Sequence, residues 1–365
     1  MSKAAQLAAL IGSGQAQGNK NLIINGGMTV NQRGSVNTSD GNTVFGLDRM
    51  AVFLRGGPAA TITQDTDVPS GQGFGYSNKI DVTTGDALGT ANDFCLFRQK
   101  IEGRNLQQLK KGTSSAESVT LSFWIKSTIT GTYVLEIRDQ TNTRDIHKTY
   151  TVSSSNTWEY KTLTFEGDTT GAIDNDNTSG FEVSWMLGQG TDYTSGTLNT
   201  TWASAVNANR AVGQVNAVSS ASNNILITGI QLEIGEVATA FEHESFAETL
   251  QKCFRYYYDA MYGSNDGQAY STARDAQYGH IRNCIAQFPV EMRATPSVSI
   301  QSGSANSMDR YGRGQELCYP KAENIQKSHW QNIVKYTNAN QTTTTNWQDN
   351  GNYINRAGYK ADAEL

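Results

Sequence analysis

The chain has 365 residues, of which 37% are apolar and 17% charged, with a net charge of −5. Both fractions are low for a globular protein, and Gly, Ser, Thr and Asn make up the difference, which suits short strands separated by polar turns. No run of Lys and Arg is long enough to follow a phosphate backbone, and no apolar stretch reaches the ~20 residues of a membrane helix, so neither nucleic-acid binding nor membrane insertion is expected.

Residues 3–11 can form a short helix with Leu7, Leu10 and Ile11 on one stripe, ended by Gly12 and Gly14. Isolated helices below ~12–15 residues are marginal in water. This one therefore docks as an assembly anchor or frays as a tail, and "GSGQAQGNK" after it suits a tether. A single Lys and an Ala-rich run broken by Gln6 make the segment a poor signal peptide.

From Asn21 the apolar period becomes two. "NLIINGGMTVNQRG" reads as a strand, a Gly26-Gly27 turn and a second strand, and "LDRMAVFLRGG" as another. In "ESVTLSFWIKS", Val119, Leu121, Phe123 and Ile125 share one face, with Ser122, Trp124 and Lys126 on the other. In "GTYVLEIRDQ", Tyr133, Leu135 and Ile137 oppose Glu136 and Arg138. "WEYKTLTFEG" and "GFEVSWMLGQG" repeat the pattern, the latter with Trp185 in the packing set. Short alternating runs with recurrent turns predict an antiparallel β-sandwich. "ILITGIQLEIG" is its last strand, with Ile230, Leu232 and Ile234 inward and Gln231 and Glu233 outward. Gly229 shifts the register from Ile225 and Ile227, which predicts a bulge.

After Gly235 the period changes. Ser245 and Glu248 fit a capping box, with Glu242, Glu244 and Glu248 at the end of the helix dipole that favours negative charge. Phe246, Leu250, Cys253, Phe254 and Tyr257 then share a helical stripe up to Gly263. The helix is a spacer or trimer contact, or it covers the open end of the sandwich. Beyond it, "HIRNCIAQFPVEMRATPSVSI" predicts two strands broken at Pro289 and Pro296. The polar remainder, with Tyr311, Tyr319, Trp330, Tyr336, Trp347, Tyr353 and Tyr359, predicts a small second β-domain. Its rings are a domain core or a receptor-binding surface. The predicted domains are residues 1–20, 21–243, 244–263 and 264–365.

The order of "NLIINGGMTVNQRG", "GLDRM", "LSFWIKSTITGTYVLEIRD", "TWEYKTLTFEGDTTG", "ITGIQLEIGEVATAFEHESFAETLQKCFRYYY" and "FPVEMRATPSVSI" resembles tailed-bacteriophage tail fibres and related virion appendages over residues 21–300. The resemblance implies a mainly β chain whose sandwich is a jelly roll akin to carbohydrate-binding modules, carried on a homotrimeric virion fibre. The implied partners are other virion proteins at the N-terminus, further copies of the chain, and a host surface glycan. Such jelly rolls often carry an acid after the first-strand "NG" that helps hold calcium. Gly27 stands there, so no metal and no cofactor is expected.

The inventory of catalytic motifs is thin. His147, His243, His280 and His329 lie far apart and read as surface or turn residues. "GQGFGYSNK" lacks the Lys-Ser/Thr of a phosphate loop, and "DNDNTSGFE" lacks the twelfth-position acid of a calcium loop. Asp48, Asp139, Asp145 and Glu166 are the carboxylates available for a glycosidase pair, although spacing does not pair them. Cys95, Cys253, Cys284 and Cys318 have no C-x-x-C spacing and read as reduced thiols. Binding is the expected role. Sugars stack apolar faces on aromatic rings beside planar polar groups, and outward-facing Trp124 and Arg138 are the candidate glycan-binding pair, as neighbours across one sheet. The alternative for both is a place under a loop or at a subunit contact. Trp158 and Trp202 are not placed by pattern. The expected function is non-enzymatic adhesion by a virion tail fibre. A capsid decoration or head fibre and a polysaccharide depolymerase are the alternatives.

Overall fold

The computed structural model describes residues 20–260, 281–301, 307–310, 314–317, 319–323, 325–335, 353–354 and 358–365. The expected N-terminal anchor of Leu7, Leu10 and Ile11 lies outside them, as do Gly263, His280, Tyr311, Tyr336 and Trp347. The chain divides between Thr249 and Leu250 into two compact units.

Thirteen strands build the first unit: β1 (Val36–Thr38), β2 (Asn42–Phe45), β3 (Ala51–Arg55), β4 (Ala59–Asp65), β5 (Ser77–Thr84), β6 (Phe94–Glu102), β7 (Val119–Ser127), β8 (Gly131–Asp139), β9 (Arg144–Val152), β10 (Glu159–Phe165), β11 (Ser179–Gln189), β12 (Ala203–Ser204) and β13 (Asn224–Ile234). They form a six-stranded sheet, β1-β4-β5-β13-β7-β10, and a seven-stranded sheet, β12-β9-β8-β11-β6-β3-β2. Every pairing is antiparallel. The alternation read from the sequence supplies the core between them. Leu121, Phe123 and Ile125 of β7, with Ile225, Ile227 and Leu232 of β13, meet Leu135, Ile137, Val183 and Trp185. The Trp185 ring lies 5.4 Å from Phe97 in its own sheet and 5.5 Å from Phe123 in the other. Burying each such side chain contributes about 1.5–3 kcal/mol. Cys95 and Cys253 are buried, and neither is in a disulfide. Burial pushes the Cys95 thiol up to about 12, which keeps it inert.

The segment "NLIINGGMTVNQRG" is not a pair of strands. Asn25 and Met28 take φ of +62° and +58°. The Asn25 carboxamide substitutes for a strand partner: Oδ1 accepts from Val30 N–H (3.0 Å), and Nδ2 donates to the carbonyls of Val30 (2.9 Å) and Asp48 (3.0 Å). The segment lies along β13, with Leu22 N–H donating to Leu232 O (2.8 Å) and Ile230 N–H to Gly26 O (3.0 Å).

The bulge in β13 falls between Thr228 and Gln231, with Gly229 at φ +62°. Gln231 and Glu233 face away from the core, as predicted, yet both are buried. The chain at 239–242 folds back over them. Thr239 N–H and Oγ1 donate to the two Glu233 carboxylate oxygens (2.8 and 2.7 Å), and Glu242 N–H donates to Gln231 Oε1 (2.8 Å).

The capping box closes. Ser245 N–H donates to Glu248 Oε2 (3.0 Å), and Glu248 N–H donates to Ser245 Oγ (3.3 Å), at the start of the helix Phe246–Phe254. The helix is shorter than its apolar stripe, because Tyr257 already belongs to the strand Tyr257–Asp259. Replacing Ser245 with alanine should cost about 1 kcal/mol of local stability. Faster amide exchange at Glu248 and Thr249, with β7 unchanged, is the expected readout.

Among its described residues, the second unit holds three small antiparallel sheets. One pairs Tyr257–Asp259 and Ser297–Gln301 on either side of Gly358–Asp362, which closes the chain onto the unit's first strand. A second pairs Ile281–Gln287 and Tyr319–Glu323 with His329–Lys335. The predicted strands before Pro289 and after Pro296 are both present. Phe288, Met292, Tyr359, Ala361 and Ala363 form a core, so Tyr359 is packing and not surface.

Candidate functional site

On β7 the residues between the core positions face away from the sandwich. Register sets Trp124 opposite Tyr160 of β10 on one side and Thr228 of β13 on the other. The Trp124 and Tyr160 rings lie 5.3 Å apart at 46°. Tyr160 is 45% exposed, and Tyr76, on the approach to β5, 39%. Thr228 Oγ1 donates to Tyr76 O at 2.7 Å, which ties that approach to β13.

Asp67 fixes the polar edge of this surface. Its Oδ2 accepts from Lys126 Nζ (2.6 Å) and its Oδ1 from Trp158 Nε1 (2.9 Å). The Lys126 bond, against partial burial and with help from Trp158, holds the Asp67 carboxyl below its usual range. Half-exposed rings beside a fixed carboxylate and ammonium can stack against an apolar sugar face and hydrogen-bond its hydroxyls. The outward alternation of β7 made Trp124 legible. Tyr160, Tyr76 and Asp67 carry no local signal, because strand pairing brings them there.

Arg138 is not a neighbour of Trp124. β7 lies in the six-stranded sheet and β8 in the seven-stranded one, so the two side chains leave opposite faces of the sandwich. The short connection crosses between sheets. Tyr133 Oη, from the start of β8, meets Ser127 Oγ (2.9 Å) and donates to Ile129 O (2.8 Å).

On the outer face of the seven-stranded sheet, Arg138 lies opposite Asp145 of β9 and Glu182 of β11, and Glu182 lies opposite Lys100 of β6. Arg98 Nη1 donates to both Glu182 oxygens (3.2 and 3.3 Å), joined by Gln140 Nε2 (3.1 Å) and Ser184 Oγ (3.1 Å). Arg138 Nε is buried without a hydrogen-bond partner.

Farther along that face, residues 190–216 cover a buried polar cluster. Arg210 donates through Nε and Nη2 to the two oxygens of Glu136 (2.7 and 2.5 Å), and Glu136 Oε1 meets His147 Nε2 at 3.2 Å. Asn199 Nδ2 donates to Asp145 Oδ1 (2.6 Å). Burial opposes ionisation of Glu136, yet Arg210 and His147 hold its carboxyl down at about 2. Burial raises the Asp145 carboxyl, only partly offset by Asn199. His147 is thus a buried strand residue and not a surface or turn one. Glu136, Asp145 and His147 bring ligand atoms within 4.8 Å of one another, as a metal would need. Arg210 already occupies both Glu136 oxygens, so the cluster acts as a clamp on the covering chain.

Of the other carboxylates available for hydrolysis, Glu166 is exposed, and Asp48 and Asp139 have separate partners. Asp48 accepts from Gln32 N–H (2.7 Å) and Nε2 (2.6 Å), and Asp139 from Asn142 and buried Lys111. Asp176 turns back on Thr178 N–H (2.9 Å), closing the turn in "DNDNTSGFE". Trp202 stacks on Phe181 at 5.7 Å. Phe74, Phe241 and His243, with Gly27 and Asn25, line a partly open hollow of about 50 Å³, room for a few waters.

No protein-family model matches the chain, and no curated protein matches it. Solved structures with similar folds include the enzymatically active domain of bacteriophage CBA120 tailspike protein 4, at 17% identity and TM-score 0.30, over 59% of this chain and 22% of that one. A family 11 carbohydrate-binding module of Clostridium thermocellum, in complex with a mixed-linked tetrasaccharide, is similar at 14% identity and TM-score 0.28, over 56% and 98%. The N-terminal cellulose-binding domain of a Cellulomonas fimi β-1,4-glucanase is similar at 9% identity and TM-score 0.26, over 58% and 94%.

Proposed function

We propose that this chain is a tail-fibre protein of a tailed-bacteriophage virion, which attaches to a host surface glycan without cleaving it and works as a homotrimer. The observation that carries the adhesive role is the pairing of half-buried Trp124 with exposed Tyr160 beside Asp67 and Lys126, on the outer face of the six-stranded sheet. The virion setting rests on the ordered sequence motifs between residues 21 and 300. The buried carboxylates have structural partners, which supports display over hydrolysis.

Purified protein is expected to bind host cells and to lose that binding when periodate oxidises their glycans. Trp124→Ala should weaken it at least ~10-fold, as for a stacked aromatic anchor, and Trp124→Phe should retain most of it. Binding indifferent to periodate or to Trp124→Ala would overturn the assignment of this face. Release of reducing ends from host polysaccharide would overturn the non-enzymatic role.

A further inference from the structure

We propose that the outer face of the seven-stranded sheet is a second binding surface, which takes the oxyanion group of an acidic saccharide on Arg138 with Lys100 and Arg98 at its flank. This deepens the glycan-binding reading and rests on it.

The starting point is charge. The chain as a whole carries −5. On this face, strand register gathers Arg98, Lys100 and Arg138 around one carboxylate, Glu182. With the neighbouring clamp and the Glu102–Arg104 pair at the end of β6 included, the cations are these three, Arg210 and Arg104, and the carboxylates are Glu182, Glu136, Asp145 and Glu102. The balance is one positive charge.

Hydrogen bonding shows where that surplus lies. Arg210 is spent on Glu136, and the Arg98 side chain, 18% exposed, on Glu182. Lys100 Nζ is 4.0 Å from Glu182, and its side chain is 25% exposed. Arg138 lies between Glu182 and Asp145 in register yet makes no ion pair within 4.0 Å with either. Glu182 already accepts from Arg98, Gln140 and Ser184; Asp145 accepts from Asn199 through Oδ1 and leaves Oδ2 buried without a hydrogen-bond partner.

A half-buried guanidinium with an unpartnered, buried Nε has lost hydration without compensation. Neither the core nor the sheet ladder uses it. Its planar fork matches a carboxylate or a phosphate, and neighbouring cations strengthen that preference. Sandwich strands hold the three cations, so the site is formed before any ligand arrives.

The test uses the full chain and four variants, Arg138→Ala, Arg138→Lys, Arg138→Gln and Trp124→Ala. Polygalacturonate, poly(glycerol phosphate) and dextran serve as carboxylated, phosphorylated and neutral polymers. Wild-type protein should bind at least one acidic polymer, and the polymer it prefers identifies the oxyanion. Arg138→Ala and Arg138→Gln should weaken that binding at least ~10-fold, and Arg138→Lys several-fold, because an ammonium lacks the bidentate fork. The interaction should weaken from 50 to 300 mM NaCl. Trp124→Ala should leave this dependence on Arg138 and salt intact.

Unchanged acidic-polymer binding in all three Arg138 variants would overturn the proposal. So would full competition by equimolar inorganic phosphate, which would mark a plain anion site. Loss of binding to host glycans through Trp124→Ala alone, with no preference for acid, would leave the adhesive function standing and remove this inference. No host-glycan binding by wild type would remove both.

Discussion

Replacing Arg210 with alanine is expected to destabilise the sandwich by about 3–5 kcal/mol at pH 7. Its guanidinium packs over the Phe94 ring at 4.6 Å and donates to both oxygens of Glu136, which is fully buried on β8. Without it, a buried carboxylate keeps only His147 as a partner. Unpaired charge inside a protein is far costlier than the net worth of the pair. Amide exchange of β8 residues 133–137 in urea reads this quantity on the sandwich itself. The pH dependence follows from the depressed Glu136 carboxyl. Its contribution in wild type is present above the unfolded value of about 4.3 and is lost as pH falls toward about 2. Without Arg210, burial dominates and raises the Glu136 carboxyl. The variant is then relieved as pH falls from that raised value toward the unfolded one, and wild type loses its contribution below it, so the gap should begin to close above about pH 4.5 and be gone by about pH 2. Asp145, whose carboxyl is raised, works the other way: its contribution is present at low pH and lost as pH rises through its folded value. It is present in both proteins and largely cancels. Replacing both partners, as Glu136→Leu with Arg210→Met, should recover most of the loss, because matched apolar groups need no compensation. A gap below about 1 kcal/mol at pH 7, or one flat with pH, would show that residues 190–216 are held without the pair.

These effects mark where reading by period stopped. Alternation placed Leu121, Phe123, Leu135 and Ile137 in the core because a strand turns every second side chain to the same face. It also turned Trp124 and Arg138 outward, correctly. Period does not say which sheet a strand joins, so two consecutive strands looked like neighbours when the chain crosses between layers at Ile129. Nor does outward mean solvated. Glu136, Gln231 and Glu233 face out of their sheets and are buried beneath 190–216 and 239–242, which have little periodicity of their own. The candidate surfaces suffered most. Tyr160 reaches Trp124 through register, and Arg98 reaches Glu182 across 84 residues of sequence. The "NLIING" stretch failed for a different reason. Its apolar residues mimic a strand, whereas Asn25 at positive φ takes over backbone hydrogen bonds that a second strand would have made.

That same stretch carries a second large effect. Gly26→Ala should cost about 3–5 kcal/mol, from overpacking of about 1–3 kcal/mol and the loss of two or so hydrogen bonds at about 1 kcal/mol each. A Cβ at Gly26 would stand 2.0 Å from the carbonyl oxygen of Ile230 and 3.2 Å from Asn21 Nδ2. Ile230 has little room to retreat, because its side chain is buried in the core and the residues on either side of the bulge, Thr228 and Gln231, are paired to β7. The segment must therefore give way. Doing so breaks Ile230 N–H to Gly26 O (3.0 Å) and strains the Asn21 side chain, which donates to Ile230 O and accepts from Leu232 N–H (3.0 Å each). It also lifts Ile23 and Met28 from the core. Gly27→Ala is the internal control. Its Cβ would meet the Phe241 ring at 3.7 Å, an ordinary contact, and it alters the unfolded chain just as the first substitution does. Its cost should stay within about 0.5–1 kcal/mol. Urea midpoints and amide exchange at Ile230 and Leu232 compare the two. A Gly26 variant no weaker than the Gly27 variant would mean that the N-terminal segment is not locked to β13.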